Sequence, residues 1–166
     1  MHAGTAARLK IRAADLDDGP GLLALDQATW SPSTSPSHAP PSGAFFNGRT
    51  DPANVLVAVL DDRVVGYGKI DHPTELPASE HVWHVTGLAV DPTCEGRGIG
   101  RALVEALSDE ARRRGGRRIT LRVFATNPRA KRLYERCGFE VEGTLHAEFR
   151  TADGQFVDDF LMARAL

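Results

Sequence analysis

The sequence is short of several residue types, and each shortage excludes something. Its 166 residues include two cysteines, two tyrosines, two tryptophans and two methionines. Cys94 and Cys137 are too few for a disulfide-rich scaffold, and their separation fits no zinc motif. No metal site is expected, and a reducing cytoplasm is the simplest setting. No apolar run approaches the roughly 20 residues that cross a bilayer. The start, Met1-His2-Ala3-Gly4-Thr5, is small and polar, with no signal-peptide character. Charge of one sign is also missing: the net charge is −2, so no basic field points to nucleic acid. Arg112–Arg114 and Arg117-Arg118 do cluster, but at the end of a predicted helix, where they complement its dipole and face water. Neither an internal repeat nor a second domain is visible. The expectation is one domain, residues 1–166, around a single core.

The most informative stretch is Leu88-Ala-Val-Asp-Pro-Thr-Cys-Glu-Gly-Arg-Gly-Ile-Gly100, followed by Arg101-Ala-Leu-Val-Glu-Ala-Leu. A β-type apolar run stops at Asp91-Pro92, crosses a glycine-rich turn and becomes a helix. Gly96, Gly98 and Gly100 let the backbone approach a ligand closely, because no Cβ intervenes. Free N–H groups of the turn and of the first helical residues suit an anion such as a phosphate. The dinucleotide fingerprint would need glycine where Arg101 stands, and the Gly-Lys-Ser/Thr end of a P-loop is absent. Taken alone, the segment also fits an ordinary strand–helix turn.

A second motif runs Asn127-Pro-Arg-Ala-Lys-Arg-Leu-Tyr-Glu-Arg-Cys-Gly-Phe139. Asn127 is a good N-cap, Pro128 suits the first helical turn, and Gly138 suits a left-handed stop. Ala130, Leu133, Tyr134 and Cys137 fall on one face. A tyrosine on such a face is ordinarily a core residue.

Together the two motifs resemble those of the GCN5-related N-acetyltransferases. That family's loop reads Gln or Arg, two residues, Gly, one residue, then Gly or Ala; here Glu95 stands at the first position, a departure. The resemblance implies an α/β fold, with a mixed, mostly antiparallel central sheet, splayed at the acetyl-CoA site and flanked by helices. It implies acetyl-CoA as donor, held by Leu88, Ala89, Val90, Glu95, Gly96, Arg97, Gly98, Ile99, Gly100, Arg101, Asn127, Ala130 and Tyr134. The main chain of residues 88–90 would pair with the pantetheine arm and present N–H groups to the acetyl oxygen, unless it only pairs in the sheet. Tyr134 would protonate the departing thiolate; an ordinary tyrosine, with a pKa of about 10, carries its proton at neutral pH. Asn127 would hold the CoA region or only cap its helix. Arg97 and Arg101 would meet phosphates or only water.

The remaining elements fit that fold. Leu9–Arg12 is a short strand, Leu16–Trp30 a helix, and Ser31–Gly43 a Ser/Pro-rich stretch that is neither helix nor central strand. That stretch is either a free loop or a substrate-binding one, with Trp30, Phe45 and Phe46 at its ends. Asn54–Leu60 and Arg63–Ile70 form a hairpin around Asp61-Asp62, and Glu80–Val90 is the next strand. A helix spans Ile99–Arg114, a strand Arg118–Phe124, and a last hairpin joins Glu140–Arg150 to Gln155–Ala165 through Asp153-Gly154.

An attacking amine must lose a proton, so a base titrating near neutrality is sought. His84 is preferred, placed by simple alternation on one face with Thr86 and Leu88, opposite His81, Trp83, Val85 and Gly87. Glu80, His81, His146 and Glu148 are the other candidates. The acceptor is expected to be a primary amine of a small molecule or amino acid. A peptide N-terminus and a catalytically silent CoA-binding module are the alternatives. The resemblance also allows a homodimer.

Overall fold

The computed structural model describes residues 8–166; the first seven residues of the expected domain lie outside the described residues. Seven strands and three α-helices alternate along the chain: β1 (Lys10–Ala13), α1 (Gly19–Thr29), β2 (Val55–Leu60), β3 (Arg63–Asp71), β4 (Val82–Val90), α2 (Ile99–Arg113), β5 (Arg118–Phe124), α3 (Pro128–Arg136), β6 (Glu140–Arg150) and β7 (Phe156–Ala165). They form one sheet of order β1-β2-β3-β4-β5-β7-β6. Every neighbouring pair is antiparallel except β4–β5. The expected mixed, mostly antiparallel sheet with flanking helices is therefore present.

The turns follow their residues. Asp61 and Asp62 both take positive φ, 49° and 62°, as a two-residue hairpin with the right-handed twist of its strands requires. On α2, Leu103, Val104, Leu107 and Ala111 are fully buried, while Arg112 and Arg113 occupy the last turn.

The helices divide between the two faces of the sheet. α2 and α3 cover one face, packing on Ile70, Trp83, Val85, Ile119, Leu121, Val123 and Met162. α1 covers the other, where Leu22 and Leu25 meet Val55, Val57, Tyr67 and Ala89. Ser31–Gly43 contains neither helix nor strand, as expected, yet it is tied down at both flanks. Trp30 Nε1 donates to the Ser37 carbonyl at 3.1 Å and Gln27 Nε2 to that of Pro41 at 2.9 Å. On the other side, Thr126 Oγ1 donates to the Ser33 carbonyl at 2.8 Å, and His38 Nε2 bonds to the Arg150 carbonyl at 2.7 Å. The loop thus bridges α1 to the β6–β7 end of the sheet.

Two irregularities of β4 shape everything that follows. Its pairing with β5 stops after Val82↔Arg118, Trp83↔Ile119 and His84↔Thr120, although both strands continue. Beyond His84 the two strands part and leave one edge of β4 open. Against β3 the register jumps from Lys69↔Gly87 to Ile70↔Val85, so Thr86 is an extra, bulged residue.

The bulge corrects the simple alternation expected along β4. Trp83 and Val85 lie in the α2–α3 core, and beyond the bulge Leu88 joins that core too, whereas Ala89 packs on the α1 side. His84 therefore shares its face with Gly87 and Ala89, not with Leu88. The strand also begins at Val82, so Glu80 and His81 precede it on an exposed turn.

Candidate active site

A cleft of about 570 Å³ opens where β4 and β5 part. Its walls bring together most of the residues singled out in the sequence: Leu88, Ala89 and Val90; Glu95, Gly96, Gly98, Ile99, Gly100 and Arg101; Asn127 and Ala130. His84, Arg97 and Tyr134 are not on that wall. Arg97 is exposed on the loop, and Tyr134 is buried against Phe139 with ring centroids 5.9 Å apart. Thr29, Cys94, Arg129, Leu133 and Arg136 line the cleft as well and were not anticipated there. Leu133 was legible as a core residue of α3, and Arg129 and Arg136 stand seven residues apart on one helical face. Thr29, the last residue of α1, lies outside both motifs and had no signal.

The glycines of the loop serve two different needs. Gly96 and Gly98 take φ of +76°, with open space where a side chain would begin, so the backbone conformation demands them. At Gly100 the constraint is steric: a Cβ would sit 3.1 Å from Leu133 Cδ2, holding α2 away from α3. Gly98 is the N-cap of α2 and offers no side-chain acceptor, so the first amides of that helix are left for an outside anion.

Glu95 is the departure from the family pattern, and its surroundings explain how a carboxylate is tolerated. Arg129 Nη1, from α3, lies 2.6 Å from Glu95 Oε2, and both side chains are on the cleft. A guanidinium from the neighbouring helix thus stands beside position 95 and offsets its charge. Asn127 accepts from the Ala130 amide at 3.1 Å through Oδ1, so its oxygen caps α3 and its NH₂ group remains available.

Tyr134 makes no hydrogen bond to a described residue through its hydroxyl. Burial is the main influence on it and pushes its pKa up to about 12, with Cys137 adding to the effect. The phenol therefore holds its proton throughout the neutral range. Cys94 and Cys137 are both free and buried.

On the α1 face, His84 stands at the last paired position before the strands separate. Its Nδ1 lies 2.7 Å from Thr120 Oγ1, and that hydroxyl lies 3.3 Å from the Trp83 carbonyl oxygen. A carbonyl only accepts, so the hydroxyl proton goes to Trp83, and His84 donates its Nδ1–H to Thr120. This assignment leaves the lone pair of the neutral ring on Nε2. Burial lowers the His84 pKa below the ordinary histidine value, the Arg122 charge lowers it further, and Asp159 opposes the shift.

Arg122 and fully buried Asp159 form an ion pair, and Glu148 reaches Arg122 at 3.4 Å. Asp159 Oδ1 has no hydrogen-bond partner among the described residues. Of the other base candidates, His146 is 81% exposed and pairs with Asp158 at 3.0 Å, and Glu80 and His81 face water. No group of three or more metal-ligating side chains occurs among the described residues, and no described helix is long and apolar enough to cross a membrane.

Comparison with known proteins places this geometry in a family. Residues 22–139 match the acetyltransferase (GNAT) family model. The L-amino acid N-acetyltransferase AaaT of Escherichia coli is 37% identical over 112 residues, covering 66% of this chain and 66% of that protein. The [ribosomal protein bS18]-alanine N-acetyltransferase of the same species is 41% identical over 76 residues, covering 46% of this chain and 51% of its own length. The matched stretch thus spans less than two thirds of the length of these relatives. Among solved structures, yncA of Salmonella typhimurium, solved with its cofactor acetyl-CoA, superposes with a TM-score of 0.80 at 22% identity, covering 96% of this chain and 94% of that one. The family model covers more than half of the chain, and the chain belongs to the GNAT acetyltransferase family.

Proposed function

We propose that this chain transfers the acetyl group of acetyl-CoA to a primary amine of a small molecule or amino acid. The observation that carries the reading is the single cleft formed by the open edge of β4, the glycine turn with the first amides of α2, and α3. The residues present fit acetyl-CoA. A pyrophosphate would meet the amides of residues 98–101 with Arg101, Arg129 and Arg136 around it, and an extended arm would find backbone groups on the unpaired edge of residues 88–90. Bound there, acetyl-CoA supplies an activated acetyl group as a thioester.

The chain's own groups then divide the work. Preset N–H groups on the open edge of β4 donate to the negative charge that gathers on the acetyl oxygen. Tyr134, whose Oη holds its proton at neutral pH, gives that proton to the departing sulfur. His84 takes a proton from the acceptor ammonium at Nε2, the nitrogen that Thr120 leaves free. Its lowered pKa keeps it neutral and ready to accept at pH 7. Asn127 and Ala130 shape the mouth of the cleft.

A small acceptor is favoured over a peptide N-terminus by the anchored Ser/Pro loop, which bridges α1 to the far end of the sheet over the face that carries His84. The test is release of CoA thiol from acetyl-CoA across free amino acids, polyamines, arylamines and short peptides with free N-termini. Turnover of small amines is the expected result. Turnover confined to peptides would overturn the small-acceptor reading, and no thiol release with any amine would overturn the enzyme reading.

A further inference from the structure

The α1 face holds a charged group that the mechanism above leaves unused. Lys69 on β3 is half-buried, with Nζ 5.3 Å from the centroid of the Phe45 ring and 5.9 Å from that of Tyr67. Among the described residues no carboxylate lies within the 4.0 Å of a salt bridge to it. Asp26, from the helix that covers this face, accepts a hydrogen bond from the Tyr67 hydroxyl and is not within salt-bridge distance of Lys69. Arg122, another cation on the face, is in contrast matched by Asp159 and Glu148. Aromatic faces attract an ammonium but do not replace a counter-charge.

The position of Lys69 gives its charge a purpose. Lys69 pairs with Gly87, and a Cβ on Gly87 would sit 2.7 Å from Lys69 Cε and 3.5 Å from the Tyr67 ring. The end of the lysine stem therefore lies directly over Gly87, in space that a side chain there would contest. Gly87 directly precedes the open edge at residues 88–90 and shares its face with His84 across the bulge. An unmatched ammonium thus stands beside the place where the amine and the acetyl group must meet.

We infer that Lys69 binds a carboxylate of the acceptor, so that the substrate is a small amino carboxylate, a free amino acid in its simplest form. The inference rests on the small-acceptor reading above. A polyamine or arylamine offers this ammonium no partner. A peptide acceptor carries its terminal carboxylate away from the reacting amine.

The test compares kcat/KM for free amino acids with that for their carboxamides and decarboxylated amines, in the wild type and in Lys69→Met and Lys69→Arg. Calorimetric binding of acetyl-CoA reports whether each variant is folded. The wild type is expected to prefer the amino acid to its carboxamide by at least about tenfold, the factor that one charge-assisted bond supports. Lys69→Met should erase that ratio by raising KM for the amino acid alone, and Lys69→Arg should retain most of it. Equal use of amino acid and carboxamide by the wild type would overturn the inference whether or not any variant folds. Small amines would then still be acetylated, so the small-acceptor reading would survive. Turnover of peptide N-termini alone would overturn both.

Discussion

The two faces of the sheet at the β4–β5 opening are built on different principles. On the α2–α3 side the ligand-facing groups are mostly main chain: the edge of residues 88–90, the turn at Gly96 and Gly98, and the first amides of α2. Side chains there, such as the Glu95–Arg129 pair, adjust charge around a backbone cradle. On the α1 side the chemistry sits in side chains drawn from five strands: Lys69, His84, Thr120, Arg122, Glu148 and Asp159. A backbone cradle tolerates sequence change as long as its glycines and register persist. A side-chain cluster is re-specified by single substitutions, which is how one fold serves many acceptors.

If this division is right, substitutions should separate by face, and the largest effect should come from Tyr134, the proton donor held in the α2–α3 core. Tyr134→Phe is expected to lower kcat about 1,000-fold, within the range of a lost general acid. The KM for acetyl-CoA should stay within about twofold, since Phe keeps the packing on Phe139. Steady-state kinetics against any accepted amine decides it, and an unchanged kcat would remove Tyr134 from the reaction.

His84→Gln is expected to lower kcat/KM for the acceptor about 100-fold at pH 7. In the wild type, kcat/KM should rise as pH passes the lowered His84 pKa, below the ordinary value of 6.5. That limb should vanish in the variant. Because the fold favours neutral His84, its contribution to stability is complete above pH 6.5 and declines as pH falls toward the lowered value. Thermal melts of the two proteins from pH 7.5 to 4.5 test the same assignment without activity.

Gly100→Val probes the cradle alone. The new side chain meets Leu133, and overpacking of about 2 kcal/mol would weaken acetyl-CoA binding about 30-fold by calorimetry. Selectivity among acceptors at saturating acetyl-CoA should not change. Altered acceptor preference would show that the two faces are not separable.

The smallest effect is expected at Glu95. Removing its charge in Glu95→Gln frees Arg129 for an anion and should tighten acetyl-CoA about threefold at low salt, the scale of an exposed ion pair. Added salt should erase the gain.

The same division explains how much was legible beforehand. The cradle announces itself locally: Gly96-Arg-Gly-Ile-Gly100 and Asn127-Pro128 are contiguous strings whose backbone demands can be read in place. Residues of both line one cleft, and the mixed sheet is the one that the resemblance implied. The acceptor face leaves no such string, because its members lie up to 90 residues apart, from Lys69 to Asp159, and meet only through sheet register. A single bulged residue, Thr86, also moved Gly87 and Ala89 onto the His84 face and Leu88 off it. Alternation counted in the sequence has no means of seeing such a shift. The Ser31–Gly43 loop was irregular as expected, but its anchors to Thr126 and Arg150 are long-range and carry no local signature.

Backbone amide chemical shifts, recorded by NMR during titration with acetyl-CoA in the absence of an amine, test the two-face account most directly. The expected perturbations are concentrated at residues 88–90, 96–101 and 127–136, with Lys69, His84 and Arg122 little changed until an amino carboxylate is added. Shifts centred on Lys69, Tyr67 and Arg122 with the glycine turn silent would place acetyl-CoA on the wrong face and contradict the account.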